Sequence, residues 1–195
     1  MPEMLIVGLS YAGTEPNYDA LRADDYVPTR AKDHEGKLVG GGGSKFLEFL
    51  EKSVIPLAES EYRAEPTQRV LSGSSYGGLF TLFALFEKPE LFQAYIAISP
   101  AAAWDNDYLA KRERDFRKLH PKLERRVWLS IGDSEWPGYV KAAQTFFRQF
   151  ETSRYQGIAL KVHTVAGERH AGVKPEAYNR ALRFITAPWL PLTAK

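Results

Sequence analysis

The chain has no cysteine. Disulfides, thiolate metal sites and a cysteine nucleophile are thereby excluded, and the redox compartment is left open. Histidine is scarce, with four residues, and no His-rich spacing of the kind that grips a metal ion is present. Charge of either sign is not in excess. A net +2 creates no field that would draw in nucleic acid or a membrane surface. No apolar window approaches the roughly 20 residues of a transmembrane helix. The start, Met1-Pro2-Glu3-Met4-Leu5-Ile6-Val7, lacks the charged segment and cleavage site of a signal peptide. The chain as it stands is therefore expected in the cytoplasm, and a longer natural start carrying a signal would make it exported. Gly40 to Gly43 is not a phosphate loop, because no Gly-Lys-Ser/Thr follows it before a helix. It reads as a hinge, or as a glycine-rich oxyanion loop of the lipase kind. No cofactor is implied, and there is no internal repeat.

What is present is apolar. The 195 residues are 44% hydrophobic, enough for one core, and residues 1–195 read as a single domain. Met4–Ser10 is a mostly apolar run suited to a strand buried on both faces, and Val70–Leu71, Ala94–Ile98, Val127–Ile131 and Ile158–Val165 read as further strands. Between them lie segments with helical spacing. One starts at Lys45 behind a Ser44 cap and runs toward Ala58, with Phe46, Leu47, Leu50 and Val54 on one side, and Pro56 is expected to kink or end it. Others are Leu79–Phe86, Val140–Phe150 and a last helix opened by Pro175. Lys and Arg between 111 and 118 alternate with Glu113 and Asp115, which makes a solvated helix face and not a nucleic-acid patch. Strands alternating with helices predict a three-layer α/β fold with a mostly parallel sheet.

The segment that organises the chain is Gly73-Ser74-Ser75-Tyr76-Gly77. It fits G-x-S-x-G, with a strand before it and an apolar helix after it, the context a nucleophile elbow requires. Ligands of such sheets sit at the carboxyl ends of the strands. Ser75 follows one strand there, Asp133 and Glu135 follow the next but one, and His170 follows the last. A serine hydroxyl needs an imidazole to take its proton, and the imidazole needs a carboxylate to hold its tautomer. The order serine, acid, histidine is that of the α/β-hydrolases. Glu135 is preferred over Asp133 because it lies far enough along its loop to turn back toward the histidine, with Asp133 the alternative acid. His163 is inside a strand, His120 is at the wrong end of the sheet and His34 is in a polar loop. The Tyr76 N–H, at the start of the elbow helix, is a candidate oxyanion donor. Trp104, Trp136 and Tyr139 are candidate pocket walls.

With these residues in place, the chain resembles esterases of the enterochelin-esterase-like and esterase D-like branch of the α/β-hydrolase superfamily. The similarity runs through Arg22…Asp25-Tyr26-Val27-Pro28-Thr29, the helix start Phe46–Leu50, the elbow Gly73 to Leu79, the segment Ser99-Pro100-Ala101-Ala102-Ala103-Trp104-Asp105-Asn106, and the loop His170 to Pro175. The resemblance implies a carboxylic-ester hydrolase acting on a small-molecule ester, with Ser75 and His170 as the reacting pair and Glu135 as the orienting acid. Ser74 stands where the group often has histidine.

One departure is large. Met4–Ser10 resembles the fourth strand of the hydrolase sheet, and the three strands that usually precede it are absent. The third of these normally lies beside the elbow strand, and the loop after it gives the second oxyanion donor. Three arrangements are open. The Met4–Ser10 strand moves into the vacant place, so that Ser10 or Tyr11 offers the donor; a second copy completes the sheet as a homodimer; or the natural chain is longer. A different class, a weak or inactive hydrolase-fold protein that binds a ligand or partner, is the alternative reading.

Overall fold

In the computed structural model, which describes residues 2–190, helix α1 (Tyr18–Tyr26) comes first. An antiparallel hairpin of β1 (Arg30–Lys32) and β2 (Leu38–Gly40) follows. Helix α2 (Gly43–Phe49) then passes through a π-helical turn (Leu50–Val54) into α3 (Ile55–Glu61). From there strand and helix alternate: β3 (Val70–Ser74), α4 (Tyr76–Glu87), β4 (Ala94–Ile98), α5 (Trp104–Leu119), β5 (Arg126–Gly132), α6 (Pro137–Thr152), β6 (Ala159–Val165) and α7 (Val173–Thr186). The four later strands form one parallel sheet in the order β3-β4-β5-β6. The expected α/β architecture is thus present, with strand order equal to chain order because each crossover helix returns the chain beside its predecessor.

The two faces of the sheet follow from the period of two along a strand. Tyr95 and Ala97 of β4, with Val127, Leu129 and Ile131 of β5, point to the face covered by α4, α5 and α6. Ala94, Ile96, Ile98 and Trp128 point to the other, where Val173, Ala177, Ala181 and Ile185 recur every four residues along α7. Helix α4 is buried nearly all round, from Gly78 to Phe86, as its unbroken apolar sequence requires.

Three local expectations are corrected. The helix predicted from Lys45 runs from Gly43 to Glu61, and Ser44 lies inside it; its N-cap is Gly42, with no side-chain hydrogen bond. Pro56 does not end it. The π-helical turn widens the backbone just ahead of the proline ring, which then occupies the first turn of α3. The glycine run is a point of close approach rather than a hinge or an oxyanion loop. A Cβ on Gly42 would lie 2.4 Å from the Asp24 carbonyl oxygen, and one on Gly43 2.9 Å from Pro28 Cα.

The largest correction concerns Met4–Ser10. It forms no strand. Residues 2–9 run as irregular chain along a cavity of about 820 Å³, whose other walls include Phe46, Leu71, Ile96 and Leu182. Ile6 is 83% exposed. An apolar run is compatible with a strand, but a strand also needs a ladder partner, and here the cavity separates the run from β3. Strand β3, which carries the elbow, is consequently the edge of the sheet among the described residues.

Candidate active site

Every strand of the parallel sheet delivers a polar residue to its carboxyl end: Ser75 after β3, Ser99 after β4, Glu135 after β5 and His170 after β6. Ser75 sits between strand and helix with φ 61° and ψ −120°. This is a conformation that side chains avoid, and surrounding structure must hold it. Its N–H donates to the Ile98 carbonyl at 3.0 Å, and its carbonyl accepts from Leu79 N at 2.9 Å and Ala101 N at 3.3 Å. Gly73 is required because a Cβ there would lie 2.2 Å from the Gly77 carbonyl oxygen. Gly77 itself has open space where its Cβ would go, so the steric demand falls on Gly73 alone. No side chain caps α4. Its first N–H groups, starting with Tyr76, keep their donors and the positive end of the helix dipole beside the serine.

Glu135 turns back along its loop. Its Oε2 lies 2.5 Å from His170 Nδ1, and its Oε1 accepts from Gly132 N at 2.8 Å and from Ser99 Oγ at 2.5 Å. The side chain has no exposed surface. Burial works against its charge, but the bonds from His170, Ser99 and Gly132 outweigh it and hold the carboxyl below its ordinary value. Asp133 faces elsewhere. Its Oδ1 accepts from Gly167 N at 2.7 Å and from Ser134 Oγ at 3.1 Å, which ties the β5 loop to the β6 loop. With Nδ1 engaged by Glu135, no hydrogen bond among the described residues engages the Nε2 of His170.

Tyr139, near the start of α6, links these groups. Its ring meets the His170 ring edge-on at 5.2 Å, and its hydroxyl donates to the Ser99 carbonyl at 2.6 Å. Burial pushes this phenol well above its ordinary value, and the Ser75 hydroxyl beside it offsets part of the rise. Trp136 is 63% exposed and packs on both His170 and Tyr139 at the rim. Trp104 is buried, stands edge-on to Tyr76 at 5.7 Å and donates its indole N–H to Thr29 Oγ1 at 3.0 Å. The first turn of α5 that holds it is left-handed at Asp105, Asn106 and Asp107, residue types that tolerate this conformation.

Ser10 and Tyr11 lie elsewhere. Ser10 is exposed, and Tyr11 donates its hydroxyl to Asp25 Oδ2 at 2.9 Å. Among the hydrogen bonds of the described residues, neither reaches Ser75. The other histidines also stay apart: His163 contacts Glu176 at 3.1 Å and packs on Trp128, His120 stacks on Phe116, and His34 is exposed in its loop. Ser99 is a site residue that the sequence alone does not single out, since there it belongs only to one of the segments that carry the resemblance. Its signal was available, since it follows a strand at the same end as the other three.

The parallel sheet flanked by helices and the elbow define an α/β-hydrolase fold. The family described as "Putative esterase" has a model that matches residues 1–181, and the chain belongs to that family. It is 30% identical to the ferri-bacillibactin esterase BesA of Bacillus subtilis over 94% of this chain and 68% of that protein. It is 33% identical to a siderophore enterobactin esterase of Emericella nidulans, over 67% of this chain and 48% of that protein. Among solved structures, the siderophore hydrolase EstA from Aspergillus nidulans aligns with a TM-score of 0.78 and 26% identity, over 92% of this chain and 70% of that one. The BES protein of Bacillus cereus aligns with 0.77 and 27%, over 86% and 64%. The chain thus spans about half to two thirds of the length of these two curated relatives.

Proposed function

We propose that the chain is a serine hydrolase of small carboxylic esters. Ser75 is the nucleophile, His170 the general base and acid, and Glu135 the residue that orients the imidazole. The observation that carries this reading is the 2.5 Å contact between His170 Nδ1 and Glu135 Oε2, made by two loops that also meet the elbow through Tyr139. His170 takes the Ser75 proton on Nε2 as Oγ attacks the ester carbonyl carbon. The oxyanion faces the Tyr76 N–H at the start of α4. Collapse breaks the bond to the alcohol, which leaves with the proton from the imidazolium. Water then repeats the sequence on the acyl-enzyme and frees the acid. Trp136 and Trp104 form walls of the acyl or alcohol site. Esters of siderophores are the substrate class that the relatives' names favour.

The test is labelling with a fluorophosphonate probe, located by peptide mass spectrometry, with Ser75→Ala alongside. Label on Ser75 that disappears in the variant supports the reading. A folded protein that takes no label overturns it and leaves a binding role. The open edge of β3 supports a further element, pairing with a second copy; sedimentation that finds only monomer at high concentration rejects it.

A further inference from the structure

Ser99 combines three unusual features. It is fully buried, its φ is 44°, and every polar group it has is engaged. Its N–H donates to the Ser130 carbonyl on β5 at 2.7 Å. Its carbonyl accepts the Tyr139 hydroxyl at 2.6 Å, and its own hydroxyl donates to Glu135 Oε1 at 2.5 Å. A left-handed serine persists only where its neighbours over-determine it, and here β5, the β5 loop and α6 all hold it. The preceding carbonyl, Ile98, holds the Ser75 N–H. The end of β4 therefore touches Ser75 and Glu135 directly, and reaches His170 through Tyr139.

We infer that Ser99 is a positioning residue for the Glu135–His170 pair. This rests on the reading of the site given under Proposed function. The Ser99 hydroxyl and the Gly132 N–H occupy Oε1 of Glu135, so that Oε2 alone is presented to His170. Through its carbonyl, the same residue fixes the Tyr139 phenol against His170 and Ser75.

Removing the hydroxyl has two effects of one sign. The buried carboxylate loses a donor that helps keep it ionised, and the charge it retains concentrates on the side of His170, favouring the imidazolium. Both move the acid limb of the kcat/KM profile to higher pH. The groups that face Glu135 are His170 from the β6 loop and Tyr139 from α6, and Asp133 shares its loop. Asp133 spends its carboxylate on Gly167 and Ser134, so it does not replace the lost bond.

The experiment measures hydrolysis of p-nitrophenyl butyrate against pH for the full chain, Ser99→Ala, Ser99→Gly, Glu135→Ala and the double variant Ser99→Ala/Glu135→Ala. Ser75→Ala sets the baseline. A hydrogen bond to a charged group converts to about a tenfold to hundredfold change in rate. Ser99→Ala and Ser99→Gly are both expected to lower kcat by about that much, with KM within about twofold and the acid limb raised. On the Glu135→Ala background the Ser99 substitution is expected to add little. Full kcat in Ser99→Ala, or losses that simply multiply in the double variant, overturns the inference. Glycine relieves the positive φ, so Ser99→Gly serves if Ser99→Ala fails to fold; wild-type kcat and pH profile in Ser99→Gly would assign the role to the backbone instead. Retained activity in Ser75→Ala would sink the underlying reading instead, and the two failures are told apart by that control.

Discussion

At Ser75 a side chain is held in a conformation that costs on the order of 1 kcal/mol, and nothing but the position of its hydroxyl accounts for the serine there. Ser75→Gly should therefore raise the melting temperature, by up to about 1 kcal/mol of stability, while hydrolysis falls about a thousandfold or more. Thermal denaturation and an esterase assay on the same preparation check both halves. Two residues earlier the effect reverses. Gly73→Ala puts a Cβ 2.2 Å from the Gly77 carbonyl oxygen, which is backbone and cannot turn away. A loss of about 3 kcal/mol or more, measured by urea denaturation, is expected. Glu135 sets a third outcome. Its carboxyl is held below the ordinary 4.5 in the folded chain, so folding favours the carboxylate. The resulting stability is complete above the unfolded carboxyl's range and is lost as the pH falls through the lower folded value. Glu135→Gln should flatten the fall in melting temperature on the acid side of pH 4.5, as read by calorimetry across that range.

Among the elements, α5 and α6 are tied by one buried carboxylate. Glu113 is fully buried and accepts from Gln149 Nε2 at 2.6 Å, Ser153 Oγ at 2.7 Å and Tyr155 OH at 2.9 Å. Glu113→Ala leaves two buried hydroxyls and the half-buried Gln149 amide without that acceptor, and about 3 kcal/mol should be lost in a chemical melt, with little change in KM. The sequence showed Glu113 only as one charge in an alternating row, because a helical period says which residues share a face and not which face is covered. Strands β4 and β5 were legible because burial on both faces demands long apolar runs. Met4–Ser10 carried the same signal and made no strand, since periodicity is a property of one segment and a ladder of two. Three of the four polar residues at the strand ends could be read from order alone. Ser99 escaped because Ser-Pro also reads as an ordinary end to a strand, and what distinguishes it is a contact with a loop 36 residues later.

At the scale of the molecule, the two sides of the sheet are unequally finished. One carries α4, α5 and α6; on the other α7 reaches β4, β5 and β6, and the region beside β3 is left to residues 2–9 and the cavity they border. Among the described residues no helix is long and apolar enough to cross a membrane. The first stretch makes few hydrogen bonds and exposes Met4, Leu5, Ile6, Val7 and Leu9. Limited proteolysis should cut between residues 2 and 16 well before it cuts the strands. N-terminal sequencing of the first stable fragment shows whether it does.

Among the described residues, the strand beneath Ser75 is bonded to a neighbour on one side only. It behaves as a cantilever, fixed along β4 and free along its outer row of amides. In deuterium exchange, alternate amides of Val70–Ser74 should fall into a fast and a slow set, whereas both sets in β4 should be slow. Gentle heating would then silence the serine before the rest of the sheet melts, and whatever comes to lie along that free row would act as a brace for catalysis as much as a cover for the edge.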